Sequence, residues 1–490
     1  MSINNPLYKK KTYCNPLSIP EMPMGENYGA DPMKYTEEPY LDFRSISDPS
    51  VFYYDNKWYL YPSYGMCYVS EDFANFKHVK TEPDNIGYSP SIIPHNGRFL
   101  LTAHSNGLFI GDSPTGPFTF VGDFIKVDGR TIRPIDSALF RDDDGRIYIY
   151  WFEQTIPDER GRFIAKTMGV ELDGEDPRKF KTEPVLIHQF NPDNFWERGG
   201  AYNQNYESGW VEGQWMLKHN GRYYMVYSAS GTEFPNYSMA AYYSDEGPLS
   251  GFKCQKHNPI CRHTTGIVSG AGHGCIEHGP DNTLWAFYTV TAPALHPFER
   301  RIGMDRVFVD ENGELYCKVT DTPQFAYGEC EADSDAGLLP VNARLRHRVR
   351  GSSYVNGRNA FYALDESMLT WWQPEETDEE PCLYMDMTAD YVCEAIRLVW
   401  RDVNMDVKNG IVPGPYKYVI ENRMTVGKGE WETVLDMSEN EEDRNIDYKT
   451  FPPTLCREVR VRIVGAPKGI TPGITSFTIF GKMEKRESDV

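Results

Sequence analysis

Five stretches of the chain repeat one pattern, and this recurrence constrains the fold more than any other feature. They read D-P-S-V-F-Y-Y-D-N-K-W-Y-L-Y from Asp48, S-P-S-I-I-P-H-N-G-R-F-L-L-T from Ser89 and D-S-A-L-F-R-D-D-D-G-R-I-Y-I-Y from Asp136. The last two read E-G-Q-W-M-L-K-H-N-G-R-Y-Y-M-V-Y from Glu212 and H-G-C-I-E-H-G-P-D-N-T-L-W-A-F-Y from His273. Each is a short apolar strand, a polar Asp/Asn/Gly turn and an aromatic-rich strand, which is the signature of a β-hairpin. A second phrase, a turn carrying a Phe, recurs at Ser70, Gly111 and Ser244. Repeats of this kind build a propeller, one blade per repeat. Equivalent positions in the blades gather around one axis. Asp48, Asp136 and Glu212 are therefore expected to converge on one pocket.

The chain has 490 residues, enough for two or three domains. A hydrophobic content of 40% and an aromatic content of 14% support a large core. The net charge of −21 argues against nucleic acid and anionic membranes as partners. No apolar run is long enough to span a bilayer, and the first residues, M-S-I-N-N-P-L-Y-K-K-K, carry no secretory pattern, so a cytoplasmic location is expected. Ten cysteines without C-x-x-C pairs read as reduced thiols, mostly buried.

The expected fold is all-β. A five-bladed propeller occupies 1–328, an acidic linker 329–341, a β-sandwich 342–482 and a fraying tail 483–490. Beyond the linker, C-L-Y-M-D-M, A-I-R-L-V-W, Y-K-Y-V-I-E-N, E-V-R-V-R-I-V and I-T-S-F-T-I-F-G alternate as sandwich strands do. With Asp365 and Thr370-Trp371, their order resembles the discoidin-like (coagulation factor 5/8 C-type) jelly roll. That resemblance implies a module that either binds sugar or braces its neighbour. Trp371-Trp372 are read as a sugar platform or, at least equally, as core or interdomain packing.

Two or three converging carboxylates without a metal motif are what glycoside hydrolysis requires. An inverting enzyme sets a base and an acid about 6.5–9.5 Å apart. The acid must hold its proton. Glu has the higher intrinsic pKa, and an anion beside it raises that further. The base must stay ionised, so it should receive hydrogen bonds. Asp142, Asp143 and Asp144 form a more conspicuous cluster, but they fall in a hairpin tip and read as a solvated turn.

The segments around Asp48, Asp136 and Glu212, with S-G-T-E-F-P-N-Y-S at Ser230, resemble glycoside hydrolase family 43 over about 310 residues. The resemblance implies a five-bladed inverting enzyme with Asp48 as general base, Asp136 as the residue that orients substrate and tunes the acid, and Glu212 as general acid. It also points to His273, in G-A-G-H-G, as an axial residue that touches water or a structural calcium ion. No cofactor is required for the chemistry. Arg301 or Arg306 would bind substrate, and Phe43, Arg44 and Trp151 would line the sugar subsite. The expected activity is removal of a terminal pentose or furanose from plant-type oligosaccharides, α-L-arabinofuranosides or β-D-xylosides first. A β-D-galactofuranoside or other galactoside is the rival substrate, and a non-catalytic carbohydrate-binding propeller the rival of a different class. Oligomeric state is not legible in the sequence.

Overall fold

The computed structural model describes residues 9–22, 44–64, 67–83, 86–154, 159, 164–329, 334–343 and 345–483. They form five four-stranded antiparallel blades, spanning 50–79, 91–122, 135–189, 212–254 and 272–317, followed by a seven-stranded antiparallel sheet. In every blade the strands pair in chain order, as hairpins require. The first hairpin of blades 1, 2 and 4 closes over two residues with positive φ: Asp55-Asn56, Asn96-Gly97 and Asn220-Gly221. These are residue types that tolerate the left-handed backbone of the tightest β-turns. No helix among the described residues is long and apolar enough to cross a membrane.

Aromatic side chains fill the spaces between blades. Phe73, from the first Phe-bearing turn, packs between Trp58 of blade 1 and Trp285 and Phe287 of blade 5, with ring centroids at 3.8, 5.4 and 5.1 Å. Asp143 and Asp144 are exposed at their hairpin tip, as expected, but Asp142 is not. It is buried, and accepts hydrogen bonds from Lys218 Nζ and Tyr223 OH at 2.6 Å each, tying blade 3 to blade 4.

The C-terminal sheet is built on two long strands, Cys382–Val403 and Ile446–Gly465. Register shifts at Asp386/Tyr391 and Cys393/Ala395 break the long strand into two halves, which both pair with Ile446–Gly465 but differ in their other neighbour, Val349–Gly351 for the first and Thr471–Met483 for the second. Leu383 and Met385 of the first half and Ile396 and Leu398 of the second share one core with Trp372, Tyr418 and Phe477.

This domain packs on the propeller through both apolar and charged contacts. Met368, Val399 and Ile446 bury against Ile267 and Ala292. Arg44 is paired with Asp402 and Asp443, each at 2.7 Å, and Arg301 donates to Asn445 at 3.1 Å. Arg397 donates to the carbonyls of Asn15 and Asp321.

Candidate active site

The innermost strand of every blade is entered through the same backbone corner. Asp48, Ser89, Asp136, Gly213 and His273 have φ of 51, 48, 48, 59 and 34°. Each stands three residues before the apolar core position of its strand, namely Val51, Ile92, Leu139, Met216 and Ile276. In blades 3, 4 and 5 the corner coincides with a register shift in the hairpin. Such irregularities re-aim a side chain out of the ladder. Four of the five corners therefore present Asp, Ser, Asp and His toward the axis. The fifth is Gly213, where a Cβ would lie 2.8 Å from the His273 ring. Glu212 is thus not the equivalent of Asp48 and Asp136, as the repeats suggest. It stands one residue earlier, because the corner itself has no room for a side chain.

Asp48, Asp136, Glu212 and His273 line one cavity of about 260 Å³, together with Tyr64, Tyr88, His104, Thr232, Phe298 and Arg300. Asp48 is buried and densely hydrogen-bonded. Ser47 and Ser63 donate to Oδ2 at 2.9 and 2.6 Å, and Arg300 Nη1 donates to Oδ1 at 3.1 Å. Burial alone would raise its pKa. The Arg300 guanidinium, His273 and the two hydroxyls outweigh that and hold it below the usual aspartate value.

Glu212 is treated in the opposite way. Burial, then the negative charge of Asp136, push its pKa up to about 7, against smaller lowering by His273 and by the Tyr237 hydroxyl, which donates to Oε1 at 2.7 Å. Asp136 is itself held by His104 Nδ1 at 2.7 Å. Burial would lower the His104 imidazole, but its hydrogen bond to Asp136 prevails and raises it. One pocket therefore keeps one carboxylate ionised and one carboxyl protonated near neutrality.

His273 sits beneath this pair. Its Nε2 is 2.8 Å from Ser89 Oγ and its Nδ1 is 3.5 Å from Asp48 Oδ1. Both ring nitrogens face protein partners, and calcium seeks six or more oxygen ligands. The side chains here do not fit a calcium ion bound directly by this imidazole. Among the described residues, a three-membered group of ligand-type side chains occurs instead at His257, Asp310 and Glu314, where both Glu314 oxygens already accept backbone amides.

The remaining expectations need correction. Arg301 is not at the pocket. It is buried against Glu299, Glu21 and the carbonyl of Arg44, and the pocket arginine is its neighbour Arg300. Arg306 lies farther along the same strand, its guanidinium 5.4 Å from the Phe308 ring. Arg44 is an interdomain ion-pair residue, and Trp151 is core, stacked on Phe180 at 5.6 Å. Trp372 is fully buried with its indole N–H on Ser353 O, and Trp371 is sandwiched between the guanidinium groups of Arg358 and Arg401. Neither offers a free stacking face. Phe43 lies outside the described residues. The sequence reading missed Arg300, Tyr237, His104, Tyr64 and Tyr88. Tyr237 and Thr232 were within reach, since both lie in the S-G-T-E-F-P-N-Y-S segment.

Residues 43–315 match the family described as glycosyl hydrolases family 43. The chain is 22% identical to the beta-D-galactofuranosidase xynD of Aspergillus niger over 313 residues, which cover 55% of this chain and 81% of that one. It is 24% identical to a beta-xylosidase of Xylanibacter ruminicola, over 49% of this chain and 90% of that one. It is 26% identical to a xylosidase/arabinosidase of Bacteroides ovatus, over 45% and 80%. A solved structure described as a glycoside hydrolase superposes with a TM-score of 0.50 at 19% identity, covering 91% of this chain and 100% of that one, a likeness of fold.

Proposed function

The chain belongs to glycosyl hydrolases family 43 and is a glycoside hydrolase, and from that premise we propose that it removes a terminal pentose or furanose from oligosaccharides by a single displacement with inversion. The observation that carries this is the opposite treatment of Asp48 and Glu212 in one cavity. In the proposed reaction Asp48 takes a proton from water as the water oxygen bonds to the anomeric carbon. The bond from that carbon to the glycosidic oxygen breaks, and Glu212 gives its proton to the departing oxygen. Asp136, fixed by His104, keeps the Glu212 proton in place until then. Arg300, paired with Asp48 at 3.1 Å, helps keep the base ionised.

A cavity of about 260 Å³ is smaller than sites for drug-sized ligands, about 300–1,000 Å³. It suits one ring, which supports exo action. The names of the xylosidase and xylosidase/arabinosidase relatives support an arabinofuranoside or xyloside. The galactofuranosidase relative keeps a β-D-galactofuranoside as the second reading. A panel of aryl glycosides identifies the glycone. Proton NMR of the first sugar released should then show the anomer opposite to that of the substrate; initial retention would sink the mechanism.

A further inference from the structure

The five inner strands that open at the catalytic corner run on to a second mouth at the far end of the propeller axis, and there they enclose a cavity of about 300 Å³. We propose that this cavity is a second saccharide site, which takes one neutral sugar ring independently of the catalytic pocket. Four residues beyond the corner the strands carry Phe52, Ile93, Phe140, Leu217 and Glu277. Four blades thus place an apolar side chain at this level, and the fifth places a carboxyl group. At about 3.3 Å per residue the level lies roughly 13 Å from the corner, farther than a single sugar ring reaches. A ligand here shares the axis with the substrate but not its site.

Packing does not account for Glu277. Its Oε1 accepts the backbone N–H of His278 at 2.9 Å, and among the described residues no cation pairs with it. Burial pushes its pKa up to about 7, so near neutrality the group both donates and accepts hydrogen bonds. A buried carboxyl group without full hydrogen bonding costs stability, and a leucine, as in blade 4, fits this level without that cost. Glu277 is enclosed by protein, yet part of its surface stays open to the cavity, where a ligand hydroxyl completes its hydrogen bonds.

The rest of the lining suits a sugar more than an ion. Tyr53 and Trp215 are partly exposed and supply aromatic walls, with the Trp215 indole fixed by its N–H on Ile276 O at 3.0 Å. At the rim, Lys218 is paired with Asp142 and Asp143 at 2.6 and 2.8 Å, and Arg141 is exposed. Burial, then His219, lower the His278 pKa to about 4, which leaves that imidazole neutral. A cation would meet Arg141, and an anion would meet Asp143. A neutral ring with hydroxyls on its edge and one apolar face meets donors, acceptors and aromatic surface together.

The test labels the intact protein with fluorotryptophan and follows the fluorine NMR resonance of Trp215, assigned by its loss in Trp215→Phe. The residues lining the catalytic pocket include no tryptophan, so this resonance reports the far mouth. D-xylose, L-arabinose or D-galactose, titrated singly, should move it saturably in at least one case, and glycerol at equal concentration should not. Glu277→Leu should weaken that titration about tenfold, the worth of one good hydrogen bond. Arg141→Ala, at an exposed position, should weaken it by a smaller factor. No movement with any of the three sugars, equal movement with glycerol, or an unchanged titration in both variants would overturn the second site.

Discussion

At the scale of the residue, two carboxyl groups in one cavity are driven apart by their neighbours, and the pH profile should report it. Glu212 acts with its proton on, so kcat/KM should fall as pH rises through about 7. Asp48 acts with its proton off and is held below the aspartate value of 3.8, so the acid limb should lie lower than that. Asp136→Asn removes the anion beside Glu212 and should move the alkaline limb to lower pH, although burial, the larger cause, remains. A persistent limb near 7 in that variant would contradict the assignment. Glu212→Gln and Asp48→Asn should each cost at least about a hundredfold in turnover. They should differ in stability. Asp48→Asn leaves the buried Arg300 without its anion, and breaking a buried pair in this way costs about 3–5 kcal/mol. Glu212→Gln breaks no ion pair. Urea midpoints of the two variants check the difference.

At the scale of the element, the repeated corner explains both what the sequence reveals and what it hides. The hairpins are legible because alternation and Asn-Gly turns are local signals. The convergence of Asp48 and Asp136 follows from the repeat. The offset of Glu212 does not, because the reason for it is the His273 ring arriving from the next blade. Arg300 and Arg301 are hidden for another reason. Neighbours in a strand face opposite ways, and two consecutive arginines give no sign of which one faces the axis. Trp151 and Arg44 have types that suit a sugar site, and only the packing of Phe180 and of the C-terminal domain assigns them elsewhere. Gly213→Ala tests the corner. It places a methyl group 2.8 Å from His273 Cδ2 on a backbone with φ of 59°. Overpacking and left-handed strain should together cost about 2–5 kcal/mol. His273→Ala in the same chain should recover part of that loss in a double-mutant cycle. Strict additivity would show that the ring is not what Gly213 makes room for.

At the scale of the molecule, the second domain is not a passenger on a tether. Removing residues 335–490 strips both anions from Arg44 and the Asn445 contact from Arg301, and exposes Ile267 and Ala292. The truncated propeller should aggregate or melt well below the intact protein, as size-exclusion chromatography and thermal denaturation would show; a monodisperse, fully active truncation would refute the interface. The contacts of Arg397 carry a further consequence. Every blade is completed by consecutive strands, so no strand is shared between the first blade and the last. The strap across that seam is the two-residue pair Thr12–Tyr13 with Gln324–Phe325. Arg397 grips the backbone on both sides of it, at Asn15 and at Asp321. The latch is thus synthesised 80 residues after the last blade, which ends at Cys317. A nascent chain that has just emerged as far as its fifth blade can already pack Phe73 across the seam and bond Leu17 to Ile302. It has no brace across the strap until the C-terminal third, with Arg397, has left the ribosome.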